Sequence, residues 1–336
     1  MKVKQDGMTR DMKSLWYEAD KNQICYIDQR ALPFDFHIYV ATTLEDNAFA
    51  IKNMVVRGAP AIGISGAWAL YQAKMNGIDL KTAAEVIMGT RPTARDLFYA
   101  VEKVLEAEKN GRNICEFCRE LEREIISRCR RIGEHGEKLI TEGCGILTHC
   151  NAGALATVDW GTALAPMRMA HNAGKKFMVY VDETRPRMQG ARLTAWELGM
   201  EGIMHTVIAD NAAGFLMSRG KIDLVITGAD RITSKGYVAN KIGTYEKAVL
   251  ARVNGIPFYV AAPRSTFDFS IEHGDDIPIE IRDEAEITFL GEQRVAAEGS
   301  SAYNPAFDVT PPEYITGFIT EKGILEVGGI DIMREG

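Results

Sequence analysis

From residue 145 to residue 325, short apolar runs alternate with helical stretches. Ile146-Leu147 stops at His149-Cys150-Asn151, Phe177–Val181 at Asp182–Gly190, and Val207–Ala209 at Asp210-Asn211. Asp223–Thr227 stops at Gly228-Ala229-Asp230-Arg231, and Phe258–Ala261 at Ala262-Pro263. Apolar runs of this length, spaced by helical stretches, predict the strands of a parallel sheet. In such open sheets ligands bind beyond the carboxyl ends of the strands. Five buried strands with polar tips therefore predict one shared pocket, and so an enzyme.

Residues 44–142 follow a different period. Leu44–Met54 is amphipathic and Ala61–Met75 is a helix rich in small residues. Leu80–Gly89, Ala94–Lys109 and the long, charged Ile114–Thr141 follow. Ahead of them, Ile24–Ile27 and His37–Val40 flank Asp28–Pro33 and predict a small hairpin. A chain of 336 residues is long for one core. Two domains are expected, a hairpin and helical one over 1–130 and a parallel-sheet one over 131–336. The join falls within the long helix, near 125–143. The tail 326–336 is expected to be loosely held.

Charge and composition narrow the function classes. A net charge of −7, with no basic block, argues against nucleic acid as a partner. No apolar run reaches the ~20 residues that span a bilayer. Met1–Asp6 is polar and lacks a signal-peptide core. A cytoplasmic location is expected, which keeps the six cysteines reduced. Cys115 and Cys118 form a C-x-x-C, but in a helical stretch with no second pair, so they read as free thiols on a helix face. No metal site is expected.

Six segments carry candidate chemistry. In Arg57–Gly63, Pro60 suits the first turn of a helix. The open N–H groups there attract anions, and Arg57 adds a planar fork for phosphate. A tight turn made for close helix packing fits the same residues. Arg91, in Thr90–Thr93, is a pocket cation or a solvated loop arginine. Cys150 is a nucleophile or base activated by a nearby cation or helix end, or a small buried apolar residue. Asp230 ends an apolar strand, where a buried carboxyl keeps its proton at neutral pH. An N-cap or an ion pair with Arg231 is the alternative. Asn240 and Lys241, expected at the start of a helix running to about Val253, suit sugar hydroxyls or phosphate, or else a cap and the surface. Gln189 suits a hydroxyl, with Gly190 permitting close approach.

Together these segments resemble methylthioribose-1-phosphate isomerases. The matching stretches are Met54–Gly63, Arg91–Thr93, Thr148–Thr157, Asp182–Pro186, Gln189–Leu198, Gly228–Ile232, Val238–Tyr245 and Asn304–Pro311. The resemblance implies an α/β fold. A small N-terminal hairpin-plus-helices domain joins a Rossmann-like parallel-sheet C-terminal domain, and the chain pairs as a homodimer. It implies a salvage enzyme of the methionine route, free of metal and cofactor. The substrate would be the aldose 5-methylthioribose 1-phosphate and the product the ketose 5-methylthioribulose 1-phosphate. The family's catalytic pair falls on Cys150 and Asp230. Its substrate-binding positions fall on Arg57, Gly58, Ala59, Arg91, Gln189, Asn240 and Lys241. Ribose-1,5-bisphosphate isomerases share the superfamily, as do the regulatory subunits of a translation-initiation exchange factor, which lack the pair. Val158-Asp159-Trp160 departs from the family's small residue, glycine and aromatic, and is expected near the pocket.

The chemistry this implies is specific. Phosphate on the anomeric carbon blocks ordinary ring opening, so an acid must protonate the ring oxygen. That role is expected of Asp230. Cys150 then moves a proton through an enediol-like intermediate, or stabilises charge during a hydride shift. Arg57, Arg91 and Lys241 are assigned to the C1 phosphate and the hydroxyls. Arg185, Arg187 and Arg192 share a loop with Asp182 and Glu183, which are expected to neutralise them. An apolar 5-substituent is therefore expected in preference to a 5-phosphate.

Overall fold

The computed structural model describes residues 1–5, 7–91 and 94–334. The chain opens with a hairpin, β1 (Lys2–Gln5) and β2 (Met8–Asp11). An antiparallel sheet follows: β3 (Leu15–Glu18), β4 (Gln23–Ile27) and β5 (Ile38–Ala41). The expected hairpin is β4–β5, with Ile24 opposite Ala41. β3 is an addition to it.

Five helices come next: α1 (Leu44–Lys52), α2 (Ala59–Met75), α3 (Leu80–Met88), α4 (Arg95–Lys109) and α5 (Ile114–Gly136). Thr43 and Asp46 close a capping box on α1, and Asp79 and Asn113 cap α3 and α5. The small residues of α2 let α4 approach closely. A Cβ on Gly63 would lie 2.8 Å from the carbonyl oxygen of Asp96. α5 belongs to two cores at once. Its Ile125 and Cys129 pack with the helices, and its Ile132 packs under the large sheet.

The second half begins with β6 (Gly145–Thr148), α6 (Ala154–Thr157), α7 (Leu164–Asn172) and β7 (Met178–Asp182). A wide helical turn, Gly190–Thr194, leads into α8 (Ala195–Glu201) and β8 (His205–Ile208). Then come α9 (Ala213–Ser218), β9 (Leu224–Thr227), β10 (Arg231–Thr233), β11 (Val238–Lys241), α10 (Thr244–Val253), β12 (Phe258–Ala261) and β13 (Phe267–Asp268). The chain continues through α11 (Ala285–Thr288), the short hairpin β14 (Phe289–Leu290) and β15 (Gln293–Arg294), β16 (Phe307–Thr310), β17 (Gly317–Thr320) and β18 (Gly323–Leu325). The large sheet has the order β18-β17-β12-β9-β6-β7-β8 and is parallel apart from β18. With helices packed on it, its central strands are almost wholly apolar.

Three expectations are corrected here. β8 is an edge strand with its middle exposed, because it has a neighbour on one side only. Asn240 and Lys241 do not open a helix. They end β11, which belongs to a second, four-stranded sheet in the order β13-β10-β11-β16, and α10 starts at Thr244. The tail is held: Val327–Arg334 is a 3-10 helix whose Ile330 and Met333 are buried in the core with Phe318. No helix of the described residues is long and apolar enough to cross a membrane.

Candidate active site

The pocket opens at the carboxyl ends of β6, β9 and β12, where the N-terminus of α2 presses against α6. Gly58 makes that contact possible, since its φ is +94° and a Cβ there would lie 2.5 Å from Ala156. Arg57, Gly58, Ala59, Arg91, Cys150, Gln189, Asp230, Asn240 and Lys241 all line this one pocket. Arg91 is followed by Pro92 and Thr93, which lie outside the described residues.

Cys150 follows β6 in a left-handed conformation, φ +64°. Its N–H donates to the Thr184 hydroxyl (2.9 Å), and its carbonyl accepts from the Thr194 hydroxyl (2.7 Å). Burial pushes the thiol up, and the nearby Arg57 and Lys241 cations pull it back down. Asp230 sits beyond β9, with its N–H on the Ala239 carbonyl (2.9 Å). Burial pushes its carboxyl up, against the pull of Lys241, Arg57 and Arg91. Arg231 turns to Asp268 (3.6 Å), so the alternative of an Asp230–Arg231 pair is not realised.

Arg57 is not a free fork. One Nη donates to Asn151 Oδ1 and the other to the Asn151 carbonyl, both at 2.7 Å. Asn151 donates in turn to the Glu197 carboxylate at 2.8 Å, and Glu197 also accepts the N–H of Ala154 at 2.7 Å. The buried acid therefore fixes the amide, and the amide aims the arginine. Lys241 lies over the Phe307 ring, 4.7 Å from its centroid, and burial lowers its pKa. Asn240 donates to Thr244 Oγ1 (2.9 Å). The buried Gln189 Oε1 has no hydrogen-bond partner among the described residues, which suits a ligand hydroxyl.

The tips of β7 and β8 contribute less than expected. Asp182 bonds the His149 ring at Nδ1 (2.8 Å), and the other ring nitrogen meets the Ile242 carbonyl (2.8 Å). A carbonyl only accepts, so Nε2 carries a hydrogen. Asp210 is used up by the backbone N–H groups of Thr184 and Arg185, both at 2.7 Å. Asp182 and Glu183 do not neutralise the loop arginines. Arg185 and Arg192 bond backbone carbonyls, and Arg187 pairs with Glu286 (2.9 Å). Val158-Asp159-Trp160 turns away from the pocket between Thr157 and Thr162, which face it. Val158 (φ +77°) packs into the helical core, and Asp159 accepts from the α-amino group of Met1 at 2.7 Å.

Sequence reasoning missed Arg282. It reaches the pocket from an irregular segment, donates to Met54 Sδ (3.6 Å), and sits loosely between Glu280 and Glu286 at 3.5 and 3.8 Å. No periodicity marks that segment. Asn151 was within reach, since it stands at the tip of β6.

Behind the first turn of α2 lies a further buried acid, Asp96. Neither carboxylate oxygen of Asp96 makes a hydrogen bond of ordinary geometry among the described residues, and burial pushes it up to about 6 against the weaker pull of the Ser265 hydroxyl. The folded state then holds the proton more tightly than the unfolded chain. The contribution of Asp96 to stability is fullest below the ordinary carboxylate range and is lost as pH rises toward 6. The shift from 3.8 to about 6 corresponds to about 3 kcal/mol. Asp96→Asn removes that charge. We expect a higher Tm, with a gain clearly larger at pH 8 than at pH 5. A Tm at pH 8 equal to or below that of the parent would refute this account.

The Initiation factor 2 subunit family matches residues 55–327. The methylthioribose-1-phosphate isomerase of Thermotoga neapolitana is 50% identical over 328 residues, covering 94% of this chain and 96% of that one. The crystal structure of the 5-methylthioribose 1-phosphate isomerase from Pyrococcus horikoshii is 40% identical. It superposes with a TM-score of 0.89 over 97% of this chain and 96% of its own. A structure titled translation initiation factor eIF-2B, subunit delta, from A. fulgidus, is also 40% identical, with a TM-score of 0.85 over 96% and 98%. On these matches the chain belongs to the Initiation factor 2 subunit family and, within it, to the methylthioribose-1-phosphate isomerases.

Proposed function

We infer that this chain is an aldose–ketose isomerase that converts 5-methylthioribose 1-phosphate into 5-methylthioribulose 1-phosphate in methionine salvage. One observation carries the reading of the site: Cys150 and Asp230 share a pocket with the cations Arg57, Arg91, Lys241 and Arg282. Asp230, whose protonated form burial favours, gives its proton to the ring oxygen as the C1–O bond breaks. A hydride passing from C2 to C1, with the C2 hydroxyl proton taken up by the Asp230 carboxylate just formed, leaves the ketone at C2 and the phosphate on C1 and restores the acid. Proton transfer through an enediol-like intermediate gives the same product but needs a base. We take the hydride route, in which Cys150 stabilises charge on the C1–C2 unit, and the fate of the C2 hydrogen is its test. No oxidant is consumed, because C1 is reduced as C2 is oxidised.

Arg57, Gly58, Ala59 and Arg91 take the C1 phosphate, and Gln189, Asn240 and Lys241 take the sugar hydroxyls. Arg282 brings the pocket cations to four, but the acids Glu280 and Glu286 offset it. An apolar 5-substituent remains the favoured one. The eIF-2B likeness supports a regulatory reading, which needs neither Cys150 nor Asp230. A homodimer in the cytoplasm completes the proposal, with the exposed Met204 and Val207 at the β8 edge as apolar surface to cover.

The test is turnover of three sugars, followed by NMR. We expect kcat/KM to be highest for 5-methylthioribose 1-phosphate, lower for 5-deoxyribose 1-phosphate, and lowest for ribose 1,5-bisphosphate. An apolar pocket separates the first two by roughly 1–3 kcal/mol per methylene-sized group. Deuterium placed at C2 should appear at C1 without loss to solvent. Preference for the bisphosphate would overturn the substrate assignment, and no turnover of any sugar would favour the regulatory reading.

A further inference from the structure

Cys150 is held in a conformation that its own side chain disfavours, and two buried threonines from other elements hold it there. Its φ of +64° lies in the left-handed region, where residues other than glycine are uncommon. Thr184, on the loop after β7, accepts the Cys150 N–H at 2.9 Å and passes its own hydrogen to the Asp182 carbonyl at 3.0 Å. Thr194, at the end of the turn before α8, donates to the Cys150 carbonyl at 2.7 Å and accepts from the Asn151 amide at 3.2 Å. Both threonines are fully buried. Each hydroxyl is used twice, as donor and as acceptor, and the two grip opposite ends of one residue. No water can replace them without entering a closed site.

We propose that Thr184 and Thr194 are positioning residues that set the direction of the Cys150 thiol toward the substrate. The proposal rests on the catalytic reading of Cys150 given above. Neither threonine touches the substrate. They act through the Cys150 peptide, and Thr194 also ties that peptide to the Asn151 amide that aims Arg57. Removing either hydroxyl strands a buried peptide group and frees the left-handed turn to relax.

The experiment compares Thr184→Val and Thr194→Val with Thr184→Ser and Thr194→Ser, and with Cys150→Ser as reference. Each variant is measured for kcat, KM, Tm and the rate at which iodoacetamide alkylates Cys150, read by peptide mass spectrometry. We expect the valine variants to lose at least tenfold in kcat with KM within about threefold. Their Cys150 alkylation rate should change several-fold. The serine variants keep the hydroxyl and should stay within about twofold of wild type on both measures. Should a valine variant fail to fold, a serine variant with wild-type kcat still carries the test against Thr194→Ala. Valine variants with wild-type kcat and alkylation rate, beside an inactive Cys150→Ser, would overturn the clamp alone. An active Cys150→Ser would instead overturn the catalytic reading. The alkylation rates would then decide the clamp, with unchanged rates sinking it.

Discussion

Cys150→Ser and Asp230→Asn should each lower kcat by about 10²-fold or more, a loss on the scale of removing one positioned catalytic group. The two failures should differ in kind. Asp230→Asn removes a proton donor but keeps the shape and relieves the burial of a carboxyl, so the fold should persist. Its residual activity should also lose a pH limb. A carboxyl raised by burial acts as an acid only while protonated, so wild-type activity falls as pH rises through that raised value. The asparagine variant has no such proton and should be flat across the same window. Cys150→Ser keeps Asp230 and should keep that limb at a lower level. An alkaline limb unchanged in Asp230→Asn would assign it to another group, and near-normal turnover in either variant would remove that residue from the chemistry.

Arg57→Lys should raise KM by about tenfold or more. A hydrogen bond to a charged group contributes roughly 1.5–3 kcal/mol, and lysine cannot reproduce the fork. The guanidinium already spends two donors on Asn151, which fixes the direction of those that remain. Lysine would keep the charge but lose this anchor. Asn151→Ala, which frees Arg57 without removing it, should reproduce part of the effect. The check is KM for the sugar phosphate alongside inhibition by inorganic phosphate. If phosphate inhibits wild type and Arg57→Lys equally, the anion is bound elsewhere.

What could be read in the sequence followed range of contact. Strands such as Gly145–Thr148 and helices such as Arg95–Lys109 carry a local period and were legible. The second sheet was not. β10 and β13 are three and two residues long, and β11, besides its local partner β10, pairs with β16 some seventy positions away, Val238 opposite Thr310. No local pattern records the β11–β16 pairing, so the sequence alone places Asn240 and Lys241 at a helix start. The tail did carry a signal, Ile330 and Met333 three apart, which its glycines and charges obscured. The nine residues selected from motifs meet at one pocket because motifs mark strand tips and helix starts. Their supports were invisible. Glu197 sits on a helix like any surface acid, and nothing local shows that it is buried behind Asn151.

The helix shared by the two cores restricts how such chains can be recombined. α5 is about 35 Å long at the usual rise per residue. Cys129 faces the helical core and Ile132, less than a turn later, faces the sheet. A crossover between relatives placed before Ile114 hands the whole helix to the sheet half. One placed after Gly136 hands it to the helical half. Either chimera must fit one foreign core to a native helix, and a cut inside it must fit both at once. Grafting a new substrate pocket is therefore simpler at the strand tips than by exchanging halves.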